Sequence, residues 1–185
     1  MSYLTRNKLL KLGFAKVGED VFISDKCSIY SPQNISIGNN VRVDDFCIIS
    51  ASKEIVIGDN VHIACHSSLL GNALIELEDF SGVSIGCTIL SSNADYSGKF
   101  MTNPNIDEKY LNTHSAPVVL GKHSLVGCGS VILPGVSLGQ GAVIGANSLV
   151  KESVPDFEIW CGSPVKKVKN RFKDILKLEK QMNHG

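Results

Sequence analysis

No run of apolar residues in this chain approaches the roughly 18 needed to cross a bilayer, which excludes a membrane-spanning helix. The first residues, MSYLTRNKLLKLGF, lack the apolar segment of a secretory signal, so a cytoplasmic location is expected. Charge of one sign is not in excess: 18 basic residues balance 18 acidic ones, which argues against a general nucleic-acid or polyanion binder. Among the six cysteines (Cys27, Cys47, Cys65, Cys87, Cys128, Cys161) there is no CxxC pair and no zinc-ligand spacing. A phosphate-binding loop and a dinucleotide fingerprint are missing too. What remains is a chain of 185 residues, 43% hydrophobic, the size of one domain and with enough apolar material for a core.

What is present is a period of six. An aliphatic residue returns at Leu120, Val126, Ile132, Leu138, Ile144 and Val150, in the sixes LGKHSL, VGCGSV, ILPGVS, LGQGAV, IGANSL and VKESVP. A helix repeats near 3.6 residues and a half-buried strand near 2, so this spacing belongs to a repeat architecture. Each six supplies a short strand and a turn, and about 18 residues make one coil of a parallel β-helix with a triangular cross-section. The aliphatic residue points into the prism. The fifth position (Ser124, Ser130, Val136, Ala142, Ser148, Val154) is small or β-branched, as an interior position near a corner requires. Glycine and asparagine at the turns admit positive φ. On this period Cys47 and Cys65, one coil apart, are placed to stack, as small apolar residues in a narrow interior.

Earlier in the chain Ile37, Val43 and Ile49 keep the frame, and Ile57, Ile63, Leu77, Val83 and Ile89 resume it after two-residue shifts at corners. The repeats run over 17–155, about seven coils. Residues 2–14 read as an amphipathic helix that caps the open first coil. Residues 91–116 carry no period of six and are rich in polar residues, so they leave the prism as a long loop, by its length either functional or disordered. After the turn Gly162-Ser163-Pro164, residues 165–181 read as a helix with Val168, Phe172, Ile175, Leu176 and Leu178 on one side. Its Lys166, Lys167, Lys169, Arg171 and Lys173 form either a solvated cationic face or a surface for an anionic ligand.

These sixes resemble the hexapeptide-repeat acyltransferases, left-handed β-helix enzymes that take acetyl groups from acetyl-CoA, and within them the bacterial sugar O-acetyltransferases of surface-polysaccharide synthesis. The resemblance runs over essentially the whole chain. It implies an all-β, left-handed parallel β-helix with a short N-terminal helix, a protruding loop and a C-terminal helix. It also implies a homotrimer with sites between subunits, acetyl-CoA as donor and a sugar or nucleotide-sugar hydroxyl as acceptor.

Such a transfer needs a base for the acceptor proton and an N–H for the oxyanion. Five histidines are available. His123, in the GKH step where the chain re-enters the prism, is expected at a corner facing the groove and is the first candidate. His62, in IGDNVHIA, is expected at a comparable position in an earlier coil and is the second. His114 competes, whereas His66 and His184 read as structural or incidental. In the loop, Asp95, Tyr96, Ser97 and Gly98 match the subfamily's acid-aromatic-Ser-Gly run, with Ala94 in place of a first acid; Asp95 is a candidate to orient a histidine or bind a hydroxyl. The histidine that galactoside acetyltransferases place in this loop has no counterpart here. For the coenzyme the resemblance implies Gly127, Cys128, Ala146 and Lys151 along the last coils, and Gly162, Pro164, Lys166 and Lys169 at the nucleotide end. No metal ligand is expected.

Other readings stay open. The alternative to a sugar hydroxyl is the amino group of a nucleotide sugar, or an antibiotic. A γ-carbonic-anhydrase-like metal site would draw on His62, His66 and His123, although that family's ligand spacing is not matched. A non-catalytic scaffold would lack use for the loop and the basic turn.

Overall fold

A computed structural model of the chain describes residues 2–183; His184 lies outside the described residues. The period of six becomes three flat parallel faces. The first face stacks Lys16–Val17, Ile35–Ile37, Ile55–Ile57, Ile75–Leu77, Val118–Leu120 and Ser137–Leu138. The second stacks Phe22–Ile23, Arg42–Val43, His62–Ile63, Gly82–Val83, Leu125–Val126, Val143–Ile144 and Glu158–Cys161, closed by an antiparallel strand, Lys166–Asn170. The third stacks Ser28–Tyr30, Ile48–Ala51, Ser68–Gly71, Thr88–Leu90, Val131–Ile132 and Leu149–Val150. The protein is a left-handed parallel β-helix. Its core is the column of aliphatic residues that set the period: Ile37, Ile57, Leu77, Leu120 and Leu138 are all buried beneath the first face.

Coil length differs along the prism, and that corrects one sequence expectation. Cα partners are spaced twenty residues in the early coils, as in Ser36 with Val56 and Ile48 with Ser68, and eighteen in the late ones, as in Leu125 with Val143. The extra residues sit at the corner between the third and first faces. Cys47 therefore lies level with Cys27 and Ser67 rather than with Cys65, as the bonds Ser28 N to Cys47 O and Ile48 N to Ser67 O require.

Corners repeat a chemical device. Between the first and second faces, a side-chain oxygen accepts from the backbone N–H of the coil before it: Asn39 from Glu19 (2.9 Å), Asp59 from Asn39 (2.7 Å), Asp79 from Asp59 (2.8 Å) and Asp156 from Gln140 (2.8 Å). The next residue turns with left-handed φ, +52° at Asn40, +58° at Asn60, +59° at Phe80 and +52° at Phe157, and His123 does the same at this corner of its own coil with +61°. Asparagine tolerates this conformation well, and Phe80 and His123 hold it by stacking on each other with ring centroids 4.9 Å apart.

The helical caps are shorter than the sequence predicted. Helix α1 (Arg6–Lys11) starts at Thr5, whose hydroxyl accepts from Lys8 N, and buries Leu9. Residues before it are extended instead: Leu4 N donates to Ile23 O at 2.8 Å and Asp25 N to Ser2 O at 3.0 Å, so backbone rather than helix covers that part of the open edge. The helix expected over 165–181 is also corrected. Lys166–Asn170 is a strand paired antiparallel to Glu158–Cys161, because that last parallel strand would otherwise present an unpaired edge. Only Ile175–Asn183 is helical; it is called α2 here. No helix among the described residues is long and apolar enough to cross a membrane.

Residues 91–116 leave the prism as expected, but with structure of their own. Ser92–Ala94 pairs antiparallel with Thr113–Ser115, and a short 3-10 turn occupies Glu108–Tyr110. Tyr96, Phe100, Met101 and Tyr110 are exposed on this arm.

Candidate active site

His62 opens a strand of the second face with its ring directed outward. Parallel register sets it between Arg42 and Gly82, and Leu125 follows Gly82 in the same column. Asp44, two residues beyond Arg42, reaches back so that its Oδ2 lies 2.9 Å from His62 Nε2, while its Oδ1 accepts from Arg42 Nε at 2.7 Å. The Asp44 side chain is 8% exposed and the His62 side chain 49%. A carboxylate accepts, so His62 Nε2 carries the proton and Nδ1 is left as the ring's acceptor. The carboxylate beside it raises the Arg42 pKa, chiefly through that hydrogen bond.

Beside this couple is a cleft of about 320 Å³, lined by Asp44, His62, Ala64, Cys65, Gly82, Val83, Ser84, Ile85, Leu125 and Cys128. One end is polar and the floor is apolar. Cys128 is exposed and marks the point where the cleft meets the corner between the second and third faces. Along that corner the later coils bring up Ala146 and Gly162: Asn147 N donates to Cys128 O (2.8 Å) and Gly162 N to Ser148 Oγ (3.0 Å). Gly127 is required there for packing, since a Cβ would stand 2.7 Å from Ala146 N. Pro164 is exposed in the turn that follows, Lys166 is paired with Cys161 across the closing hairpin, and Lys169 is paired with Ile159. Seven of the eight coenzyme candidates thus share one edge and its end. Lys151 does not: it follows Leu149–Val150 and occupies the next corner round the prism.

The other candidates separate. His123 sits at the corner between the first and second faces as expected, but it does not face open space. It is 4% exposed, stacked on Phe80, with Nε2 2.8 Å from Glu179 Oε2 of α2. Lys122 Nζ holds the other oxygen of Glu179 at 2.5 Å, and Arg171 Nη1 donates to His123 O at 2.8 Å. The C-terminal segment covers this corner, which the sequence period could not show. His66 turns a different corner with φ of +61° and stacks on Phe46 at 5.1 Å. His114 is exposed on the arm, opposite Asn93. Among the described residues no group of three or more His, Cys, Asp or Glu could hold a metal ion.

Asp95 shapes the arm. Its Oδ1 accepts from Ser97 N (2.7 Å) and Ser97 Oγ (2.5 Å), and its Oδ2 from Asn112 Nδ2 (3.0 Å). These bonds, Ser97's first, hold its pKa below the usual aspartate value.

Sequence reasoning missed Asp44, Gly82 and Ser84. A twenty-residue coil would have revealed them, because it aligns Arg42, His62 and Gly82 in one column and Asp44, Ala64 and Ser84 in another, two residues further along the strands; the shift at each corner concealed that length.

Residues 117–152 match the family described as bacterial transferase hexapeptide (six repeats). The dTDP-4-amino-4,6-dideoxy-D-glucose acyltransferase of Escherichia coli is 48% identical over 180 residues, 97% of this chain and 94% of that one. This chain belongs to the hexapeptide-repeat acyltransferases. The crystal structure of AntD, an N-acyltransferase from Bacillus cereus, in complex with dTDP and 3-hydroxybutyryl-CoA, superposes with a TM-score of 0.96 at 42% identity, covering 99% of this chain and 97% of that one. A putative lipopolysaccharide biosynthesis O-acetyl transferase of Escherichia coli matches at 38% identity over only 69 residues, 37% of this chain and 35% of that one. Among these acyltransferases, the full-length similarity is to proteins described by an amino sugar or as an N-acyltransferase. The expected transfer to a sugar hydroxyl is not what this similarity supports.

Proposed function

We propose that this acyltransferase moves the acyl group of an acyl-CoA such as acetyl-CoA onto the 4-amino group of a dTDP-linked 4-amino-4,6-dideoxyhexose. The observation that carries this reading is similarity along the whole chain, arm included, to one relative named for that sugar nucleotide and to another crystallised with it and coenzyme A. The O-acetyltransferase relative of Escherichia coli matches over only 69 residues.

An amine attacks a thioester only as the free base, so the site must hold or create that form. His62 supplies an acceptor at Nδ1, with Asp44 fixing the tautomer and favouring the imidazolium that forms. The amine lone pair adds to the thioester carbonyl, forming the C–N bond and an oxyanion. The nitrogen gives its extra proton to His62 Nδ1, collapse of the oxyanion breaks the C–S bond, and the thiolate of CoA takes that proton from the imidazolium as it leaves. The coenzyme lies along the edge of Gly127, Cys128, Ala146, Gly162 and Pro164, with Lys166 and Lys169 near its phosphates. Asp95 and the arm form part of the acceptor site. We place these sites between subunits of a homotrimer, which the exposed aromatic residues of the arm favour. Both substrates are highly charged phosphates, which suits a cytoplasmic enzyme.

The test is direct. Purified protein with acetyl-CoA and dTDP-4-amino-4,6-dideoxyglucose should release thiol and give a product heavier by one acetyl group. The corresponding dTDP sugar with a 4-hydroxyl should remain unchanged. Turnover of the hydroxyl sugar alone would overturn the amine reading. Light scattering of the same sample should give three times the chain mass.

A further inference from the structure

Most glycines of this prism have a backbone reason to be glycine. Some turn with left-handed φ, as Gly86 (+68°) and Gly129 (+69°) do. Others lie where a coil crosses its neighbour: a Cβ would stand 2.6 Å from Leu138 O at Gly121 and 2.7 Å from Ala146 N at Gly127. Gly82 has neither reason. Among the described glycines it alone combines an ordinary φ with no approach closer than 3.1 Å, and that approach is to Leu125 Cδ1, the far end of a half-exposed side chain. A strand interior disfavours glycine, which adds chain entropy and packs nothing. The fold itself would accept alanine here.

What Gly82 does provide is space. It stands in register between His62 and Leu125, so its missing side chain opens the column of the second face into the cleft that Ile85, Ser84 and Cys128 continue. The slot is polar at His62 and Asp44 and apolar at Leu125 and Ile85. That polarity suits an acyl chain whose thioester carbonyl lies at the polar end.

We propose that Gly82 is a specificity-determining residue: the space above it seats the acyl chain of the donor against Leu125 and Ile85. This rests on the acyltransferase site assigned above. The slot admits chains longer than acetyl, such as butyryl, and its depth is set by the residue at 82 and the side chain at 125. A β-carbon at 82 fills the slot without disturbing coil stacking, and shortening Leu125 deepens it.

The experiment measures kcat/KM for acetyl-, propionyl- and butyryl-CoA with the wild-type enzyme, Gly82→Ala and Leu125→Ala. Melting temperature and CoA affinity are read for each. Gly82→Ala should keep the wild-type melting temperature and CoA affinity while lowering the butyryl-to-acetyl ratio by about tenfold or more, the scale on which a pocket senses a methylene. Leu125→Ala should move the ratio the other way. Equal rates across donors in both variants, or loss of all donors in equal proportion, would overturn the proposal while leaving the acyltransferase reading intact. A marked fall in melting temperature of Gly82→Ala would also overturn it, by giving this glycine a structural reason. A wild-type enzyme that binds neither CoA nor the amino sugar would instead sink the site assignment, and this proposal with it.

Discussion

His123 Nε2 stands 2.8 Å from Glu179 Oε2, so the histidine of the GKH step fastens α2 to the prism. The same carboxylate binds Lys122 at 2.5 Å, and Phe80, stacked on His123, forms the floor beneath Ile175, Leu178 and Met182. One glutamate therefore ties the C-terminal helix to a corner of the fold.

That tie has a pH dependence. Lys122 first, and His123 next, hold the Glu179 pKa below its ordinary value. A depressed carboxylate contributes stability that is full above its unfolded pKa and is lost as pH falls through the folded one. Acidification below the usual glutamate range should therefore release α2, seen as faster hydrogen exchange or proteolysis over 175–183. Glu179→Gln should show the loosened helix already at neutral pH and respond less to acid. A helix equally protected in both proteins at every pH would remove this contact from the account.

His62→Gln should lower kcat by roughly 10²- to 10⁴-fold, the usual range for a lost general base, with CoA affinity nearly unchanged. Asp44→Asn should also lower kcat, because an amide can no longer stabilise the imidazolium. Steady-state kinetics across pH check both, and wild-type turnover in His62→Gln would take the histidine out of the chemistry. His123→Ala should act differently, loosening α2 while retaining far more activity.

Asp95→Asn removes the charge that Ser97 and Asn112 surround, so the arm should lose order. We expect a raised KM for the sugar nucleotide, with the KM for acetyl-CoA changed little, and faster cleavage within 95–112. Because the Asp95 pKa is lowered, wild-type arm order should persist to pH values below the usual aspartate range and fail beneath them.

Lys166→Ala should weaken CoA more than dephospho-CoA, by about three- to tenfold for one exposed cation at a phosphate. Calorimetric titration with the two ligands separates the cases. Equal weakening would place Lys166 away from the 3′-phosphate.

The sequence by itself determined the prism. A six-residue aliphatic period satisfies only a coil in which every sixth side chain points inward, and the corner residues that permit left-handed φ agree with it. It also determined where the repeats pause for the arm. What it could not determine depends on which coil lies beside which. Asp44 reaches His62, and Gly82 follows His62, only because the early coils take twenty residues rather than eighteen, a length set by insertions at one corner. The burial of His123 was likewise decided by the C-terminal segment, where Lys166–Asn170 extends the open sheet edge before α2 begins. Local periodicity fixes which way a side chain points; the stacking of distant segments fixes what it meets there.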